Sequence, residues 1–243
     1  MARVVLIKHD DDPCDDRVSA WFAAKGLDCD WRYPYRGDPL GRVGGDVEAT
    51  VLYGGPQSIP DVHEHPHLVR EAAWVLECER RGVPVLGFCQ GAQVIAYALG
   101  APSGPLDDGR CEFGYYPLRV APAGAAVIPD GLVVCQSHFH QFEVPAGAEL
   151  LASSDAFTNQ AFRYGEHVWA FQFHPEITVT GFRRWQDIHW APYHRPGAQR
   201  RDEQDALMVR HDPIQHEWMT GFLTEFVGPQ MPSLGALSLT TSR

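Results

Sequence analysis

The sequence predicts an α/β protein: a mostly parallel central sheet flanked by helices, with additional antiparallel strands. Up to Gly100, short apolar runs of strand length alternate with segments of helical period, as in strand–helix–strand crossovers on a parallel sheet. Runs such as Arg-Val-Val-Leu-Ile are continuously apolar, as strands covered on both faces must be. After Gly100 the texture changes to short runs broken by Gly and Pro, which read as strands that extend or cap the first sheet.

In chain order, residues 3–7 form the first expected strand. Asp15 to Lys25 follows as a helix with Val18, Trp21 and Phe22 on one face, stopped at Gly26. Asp28 to Tyr33 is a second strand, and a polar, Gly-rich stretch from Pro34 to Asp46 leads to a third, Ala49 to Tyr53. A helix is expected over Glu64 to Arg81, from the spacing of Leu68, Ala72, Val75 and Leu76. Pro84 to Phe88 is a short buried strand running directly into a helix from Gln90 to Leu99. Further strands are expected at Phe113 to Val120, Val133 to Gln136, Ala156 to Tyr164 and Val168 to Phe173. Helices at Ile177 to Trp190 and Glu203 to Val227 close the fold, joined by a polar loop from Pro192 to Gln199. With no linker in between, residues 1–227 read as one domain, and 228–243, rich in Ser, Thr, Gly and Pro, as a flexible tail.

Composition narrows the function. The chain has 243 residues and a net charge of −11, with 31 acids against 20 bases. That balance argues against nucleic-acid and anionic-membrane partners, which call for clustered Lys and Arg. No run approaches the ~20 apolar residues that span a bilayer. The N-terminus has too short an apolar run for a secretory signal, so the cytoplasm is expected. The six cysteines lack any Cys-x-x-Cys pair and read as free, mostly buried thiols rather than disulfides.

Three short motifs carry chemistry. In Val85-Leu86-Gly87-Phe88-Cys89-Gln90-Gly91 a buried strand turns sharply into a helix through Gly-x-Cys-x-Gly. This is a nucleophile elbow with Cys in place of Ser. It presents the sulfur at a strand end and a helix N-terminus, where free N–H groups favour thiolate, and it aims the Gln90 N–H at a developing oxyanion. In Trp169 to Glu176 an apolar strand ends in His174-Pro175-Glu176. A thiolate needs a base that takes and returns a proton near pH 7, which His174 suits, and Glu176 can orient the ring. Tyr53-Gly54-Gly55-Pro56-Gln57-Ser58 ends a third strand in bare backbone N–H groups. All three sit at strand ends, the edge where sites gather in open parallel sheets.

In this order the motifs resemble the class I (triad-type) glutamine amidotransferases, and within them the freestanding GMP-synthase-like glutaminase domains. The resemblance spans roughly residues 3 to 180 and implies the flavodoxin-like fold of that family. It implies that Cys89 attacks the side-chain amide of glutamine, releasing ammonia and forming a γ-glutamyl thioester. His174 is implied as acid and base, Glu176 as its partner, and Gly55 and Gln90 as the oxyanion hole. Gln93 is implied as a substrate contact, as is the stretch Ser137-His138-Phe139. Glu112-Phe113-Gly114-Tyr115 resembles the family's Glu-x-Gly-aromatic strand. Neither a cofactor nor a metal is implied. The sequence departs from the family at Phe139-His140, where Gly-Asp is usual after Ser-His, and at Gly100-Ala101-Pro102, where Gly-Gly is usual.

No Gly-x-x-x-x-Gly-Lys-Ser/Thr loop is present. The expected function is therefore glutamine hydrolysis, with ammonia passed to a separate synthetase subunit. A stand-alone γ-glutamyl peptide or amine hydrolase is the alternative, and Phe139-His140 is the feature that favours it. A silent binding module would have no need of Cys89, His174 and Glu176 together. The alternating His63, His65 and His67 include Pro66 at a helix start and read as a cap rather than a metal site. Asp10-Asp11-Asp12 reads as a solvated loop, and Trp185, Trp190, Tyr193 and Trp218 as packing between helices.

Overall fold

The protein is described here by a computed structural model, which covers residues 2–228. The expected flexible tail, from residue 229 onward, lies outside the described residues. In chain order the strands are β1 (Arg3–Ile7), β2 (Asp28–Arg32), β3 (Val47–Leu52), β4 (Val85–Phe88), β5 (Ser103–Pro105) and β6 (Glu112–Pro117). They continue with β7 (Arg119–Val120), β8 (Val133–His138), β9 (His140–Phe142), β10 (Ala148–Ser153), β11 (Ala161–Tyr164) and β12 (Val168–Phe171). The helices are α1 (Arg17–Ala24), α2 (Pro66–Arg81), α3 (Gln90–Ala98), α4 (Val179–Asp187) and α5 (Arg201–Phe226).

Eight strands form the main sheet in the order β2-β1-β3-β4-β12-β11-β10-β7. Pairing is parallel from β2 to β12 and antiparallel from β12 to β7. The two faces explain the continuous apolar runs. Val4 and Leu6 point into one core with Phe22, Phe88, Phe171 and Phe222. Val5 and Ile7 point into the other with Leu68, Val75, Val94 and Ile95. Each fully buried side chain of this size contributes roughly 1.5–3 kcal/mol, so both helix layers are held by the sheet. No helix among the described residues is long and apolar enough to cross a membrane.

Local signals set the helix ends. Asp16 caps α1 by accepting from the Val18 and Ser19 N–H groups, both at 2.9 Å. The chain leaves α1 through Gly26 at φ +74° and leaves α2 through Gly82 at φ +67°, a region that glycine enters without strain.

The second half departs from the sequence expectation in its pairing. The single strand expected over Phe113 to Val120 is two: β6 pairs with β8 in a separate two-stranded sheet, and β7 joins the main sheet. Alternation marks a strand but does not say which neighbour it pairs with. Strands β5, β9 and β10 went unread in the sequence, and only Ala161–Tyr164 of the run from Ala156 is extended. Helix α4 ends at Asp187 rather than Trp190, and the chain then loops outward. Its return is pinned just ahead of β6 by the Cys111 N–H donating to Pro196 O at 2.9 Å. Gln199 adds two bonds to the Tyr115 backbone, at 2.8 and 2.7 Å.

This outward loop divides the expected aromatic packing group. Trp218 packs in the core on Phe171, Phe173 and Phe222. Trp185 and Trp190 instead line a cleft at the sheet edge, and Tyr193 covers Phe113 from the surface.

Candidate active site

Parallel strands β1, β3, β4 and β12 all end at one edge, and the chain just beyond each end lines a cleft of about 870 Å³. Cys89 follows β4 directly, Gly54 and Gly55 follow β3, and His174 and Glu176 follow β12. The sheet therefore brings together residues far apart in sequence without any long loop.

The elbow is built by exclusion of side chains. Cys89 sits at φ +49°, ψ −110°, and among the described residues it is the only non-glycine at positive φ. Such strain persists only where the surroundings fix it. A Cβ on Gly87 would lie 2.7 Å from the Ala92 backbone nitrogen, and one on Gly91 would lie 2.1 Å from Leu52 O. Both glycines are thus required for strand β4, helix α3 and the end of β3 to approach. The Cys89 N–H is already engaged, donating to Phe171 O at 2.8 Å, so an oxyanion would have to be met by neighbouring N–H groups.

His174 and Glu176 are buried and joined, Nδ1 to Oε1, at 2.7 Å. The carboxylate only accepts, so Nδ1 donates and Nε2 is left for the cleft. The point where a Cβ on Gly54 would stand lies 3.6 Å from Cys89 Cβ and 3.8 Å from His174 Nε2. Gly54 therefore leaves the space that the thiol and the imidazole share. Burial opposes a charge on His174, but the Glu176 carboxylate and the Cys89 sulfur outweigh it and push its pKa up to about 10. Trp185 closes the outer side, its ring edge-on to His174 at 4.8 Å and its Nε1 donating to Asp12 Oδ2 at 2.9 Å.

The other cysteines differ in setting. Burial pushes the Cys78 thiol up to about 12 and the Cys111 thiol up to about 11, so both stay protonated and unreactive at neutral pH. Among the described residues all six cysteines are free.

The remaining sequence-derived residues also reach the cleft. Gly55, Gln90, Gln93, Ser137, His138 and Phe139 all line it. Gln90 does more than offer its N–H: its side-chain oxygen accepts from the Gln57 N–H at 2.8 Å and so holds the Gly-Gly-Pro loop. Gln93 is buried, donating to Gln172 Oε1 at 3.1 Å. The His138 ring faces inward to Glu112 Oε2 at 3.1 Å and to His140 O at 2.9 Å. The ring is therefore turned away from the cleft and engaged within the protein. Glu112 also accepts from Ser154 and Gln160, both at 2.6 Å. The acids of the first loop are largely paired: Asp10 with Lys8 at 3.2 Å, Asp15 with Arg184 at 2.7 Å, and Asp11 with Arg36. His63 is exposed on a short helical turn, whereas His67 is buried at the start of α2.

Two supports were invisible in the sequence. Arg17 bonds both oxygens of Asp212 at 2.7 Å, and its Nη1 donates to Pro175 O at 3.2 Å. The Arg17 N–H donates to Glu176 O at 2.8 Å, so α1 and α5 together clamp the His-Pro-Glu turn. Arg195 lies over the Phe139 ring, 4.5 Å from its centroid, on the loop that follows α4.

Comparison with known proteins places the chain in a family. The family model described as glutamine amidotransferase class-I matches residues 39–184. The chain belongs to that family. A glutamine amidotransferase-like protein of Salmonella typhimurium, YfeJ, is 28% identical over 192 residues, which cover 73% of this chain and 77% of that protein. A glutamine-hydrolysing GMP synthase of Herminiimonas arsenicoxydans is 36% identical over 148 residues, 54% of this chain. The chain spans only about a quarter of the length of the GMP synthases it matches, 25% in that case. A solved glutamine amidotransferase from Thermotoga maritima has a TM-score of 0.82 at 25% identity, covering 93% of this chain and 98% of that one. One from Methylobacillus flagellatus, with a TM-score of 0.84 at 21% identity, shares the fold. Trp190 and Arg195, which line the outer wall of the cleft, lie beyond the matched residues.

Proposed function

We propose that residues 1–227 form a class I amidotransferase domain that hydrolyses the side-chain amide of glutamine through a γ-glutamyl thioester on Cys89. The observation that carries this reading is the meeting of a strained Cys89 with the His174–Glu176 pair at one sheet edge. The Cys89 thiolate attacks the amide carbon, and the carbonyl oxygen gains charge facing the N–H groups of Gly55 and Gln90. The imidazolium of His174 donates its proton to the departing nitrogen, and ammonia leaves. Neutral His174 then takes a proton from water, which attacks the thioester. Glutamate is released, and the thiolate and imidazolium return. The GMP synthases among the relatives support a further step in which a separate synthetase subunit receives the ammonia.

Acid-quenching the protein during turnover tests the covalent step. A γ-glutamyl adduct is expected on the Cys89 peptide by mass spectrometry. Steady turnover with that peptide always unmodified would contradict the proposal.

A second reading, hydrolysis of a larger γ-glutamyl conjugate, is favoured by the outer cleft. Its volume of about 870 Å³ falls in the range of sites for ligands well beyond one amino acid. Lys8 and Arg184 are ion-paired there, whereas Arg195 rests on an aromatic face. On this reading Arg195→Ala raises KM for γ-glutamylglycine by about tenfold, the value of one charge-assisted contact, and leaves KM for glutamine within about twofold. Equal values for both substrates in wild type and variant would remove the second reading.

A further inference from the structure

Behind the Gly54-Gly55 loop lies a buried ion pair that the mechanism above does not use. His9, two residues beyond β1, places Nε2 2.7 Å from Glu71 Oε2 on α2, and both side chains are fully buried. Its Nδ1 stands 3.1 Å from Tyr53 O and 3.3 Å from Gly54 O. Carbonyls and an ionised carboxylate only accept, so beside ionised Glu71 both ring nitrogens donate and the ring is an imidazolium. Burial opposes that charge, but Glu71 and the Gly54 carbonyl outweigh it and raise the His9 pKa.

The Gly54 carbonyl and the Gly55 N–H belong to one planar trans peptide, so they point in opposite directions. A donor that holds Gly54 O on the α2 side therefore turns the Gly55 N–H toward the cleft. His9 also stands where a side chain on Gly55 would go, a Cβ there falling 2.4 Å from His9 Cβ. Two adjacent glycines can rotate freely, and without this anchor nothing in their own sequence fixes the peptide plane.

We propose that His9, charged and held by Glu71, is a positioning residue that locks the Gly54–Gly55 peptide with its N–H aimed at the oxyanion. The proposal rests on the glutaminase reading for its kinetic consequence, but not for its structural one. An oxyanion donor locked from within the chain also means that no partner is needed to assemble it.

The test uses His9→Gln and Glu71→Gln in the full chain, with two readouts. In the first, kcat for glutamine falls on the order of 10²-fold, as for loss of one oxyanion donor, while KM stays within about threefold. The rate of Cys89 alkylation by iodoacetamide, which needs no oxyanion hole, stays at the wild-type value. Unchanged kcat, or alkylation falling in step with kcat, overturns the proposal. The second readout needs no substrate: crystal structures of wild type and His9→Gln compare the Gly54–Gly55 peptide plane. A rotated plane in the variant supports the lock, and an identical plane overturns it. Wild-type protein inactive on glutamine would count against the glutaminase reading alone, and the peptide plane would still decide the role of His9.

Discussion

Replacing His174 by alanine is expected to lower kcat/KM for glutamine by about 10⁴-fold, the upper range for loss of a general acid–base. The size follows from its double duty in the proposed mechanism, where the same ring protonates the leaving nitrogen and later activates water. Glu176→Gln should cost less, about 10²-fold, because the amide oxygen can still accept from Nδ1 at the distance now seen, 2.7 Å. Its signature is in the pH profile. The Glu176 carboxylate helps raise the His174 pKa to about 10, so removing its charge moves the alkaline limb of the profile to lower pH. The linked stability has a fixed sign. Folding raises the His174 pKa from 6.5 to about 10, so its contribution is complete below 6.5 and is lost as pH rises through 10. The stability gap between wild type and Glu176→Gln should therefore narrow as pH approaches 10. An alkaline limb that stays in place in the variant would show that Glu176 does not hold the proton on His174.

The second large effect is on folding. Gly91→Ala puts a Cβ 2.1 Å from Leu52 O and 2.6 Å from Leu52 C, both backbone atoms that cannot rotate away. Overpacking of a dense interior usually costs about 1–3 kcal/mol and more where backbone must move. Gly91→Ala is expected at or above about 3 kcal/mol, measured by urea denaturation. Gly45→Ala is the control: nothing stands within 4 Å of its Cβ position, and the change should stay within about 0.5 kcal/mol. Similar stability for both variants would mean that the close approach of α3 to β3 is not what Gly91 serves.

The parallel half of the sheet could be read from the sequence because each apolar run there is bounded by its own turn and helix. Cys89, His174 and Gly55 were legible for the same reason, each lying just past the end of such a run. The antiparallel half was not. The alternation from Phe113 to Val120 gives no sign that the chain changes sheets at Leu118, between β6 and β7. Arg195 and Trp190 were missed as cleft residues because α4 stops early, and the loop that carries them is positioned by hydrogen bonds to β6 rather than by its own pattern. His9 and Glu71 are 62 residues apart, and only the pairing of β1 with β3 and the packing of α2 bring them behind the Gly54-Gly55 loop. Asp212, inside the long helix α5, is buried against Arg17, a pairing across 195 residues that no local pattern marks.

The central claim, that Cys89 is the nucleophile of a glutamine amide hydrolase, is tested most directly by ammonia release. The purified protein and its Cys89→Ala variant are incubated with L-glutamine, and free ammonia is measured over time. Steady release is expected from the wild type and none above background from the variant. Release at equal rates from both would contradict the claim.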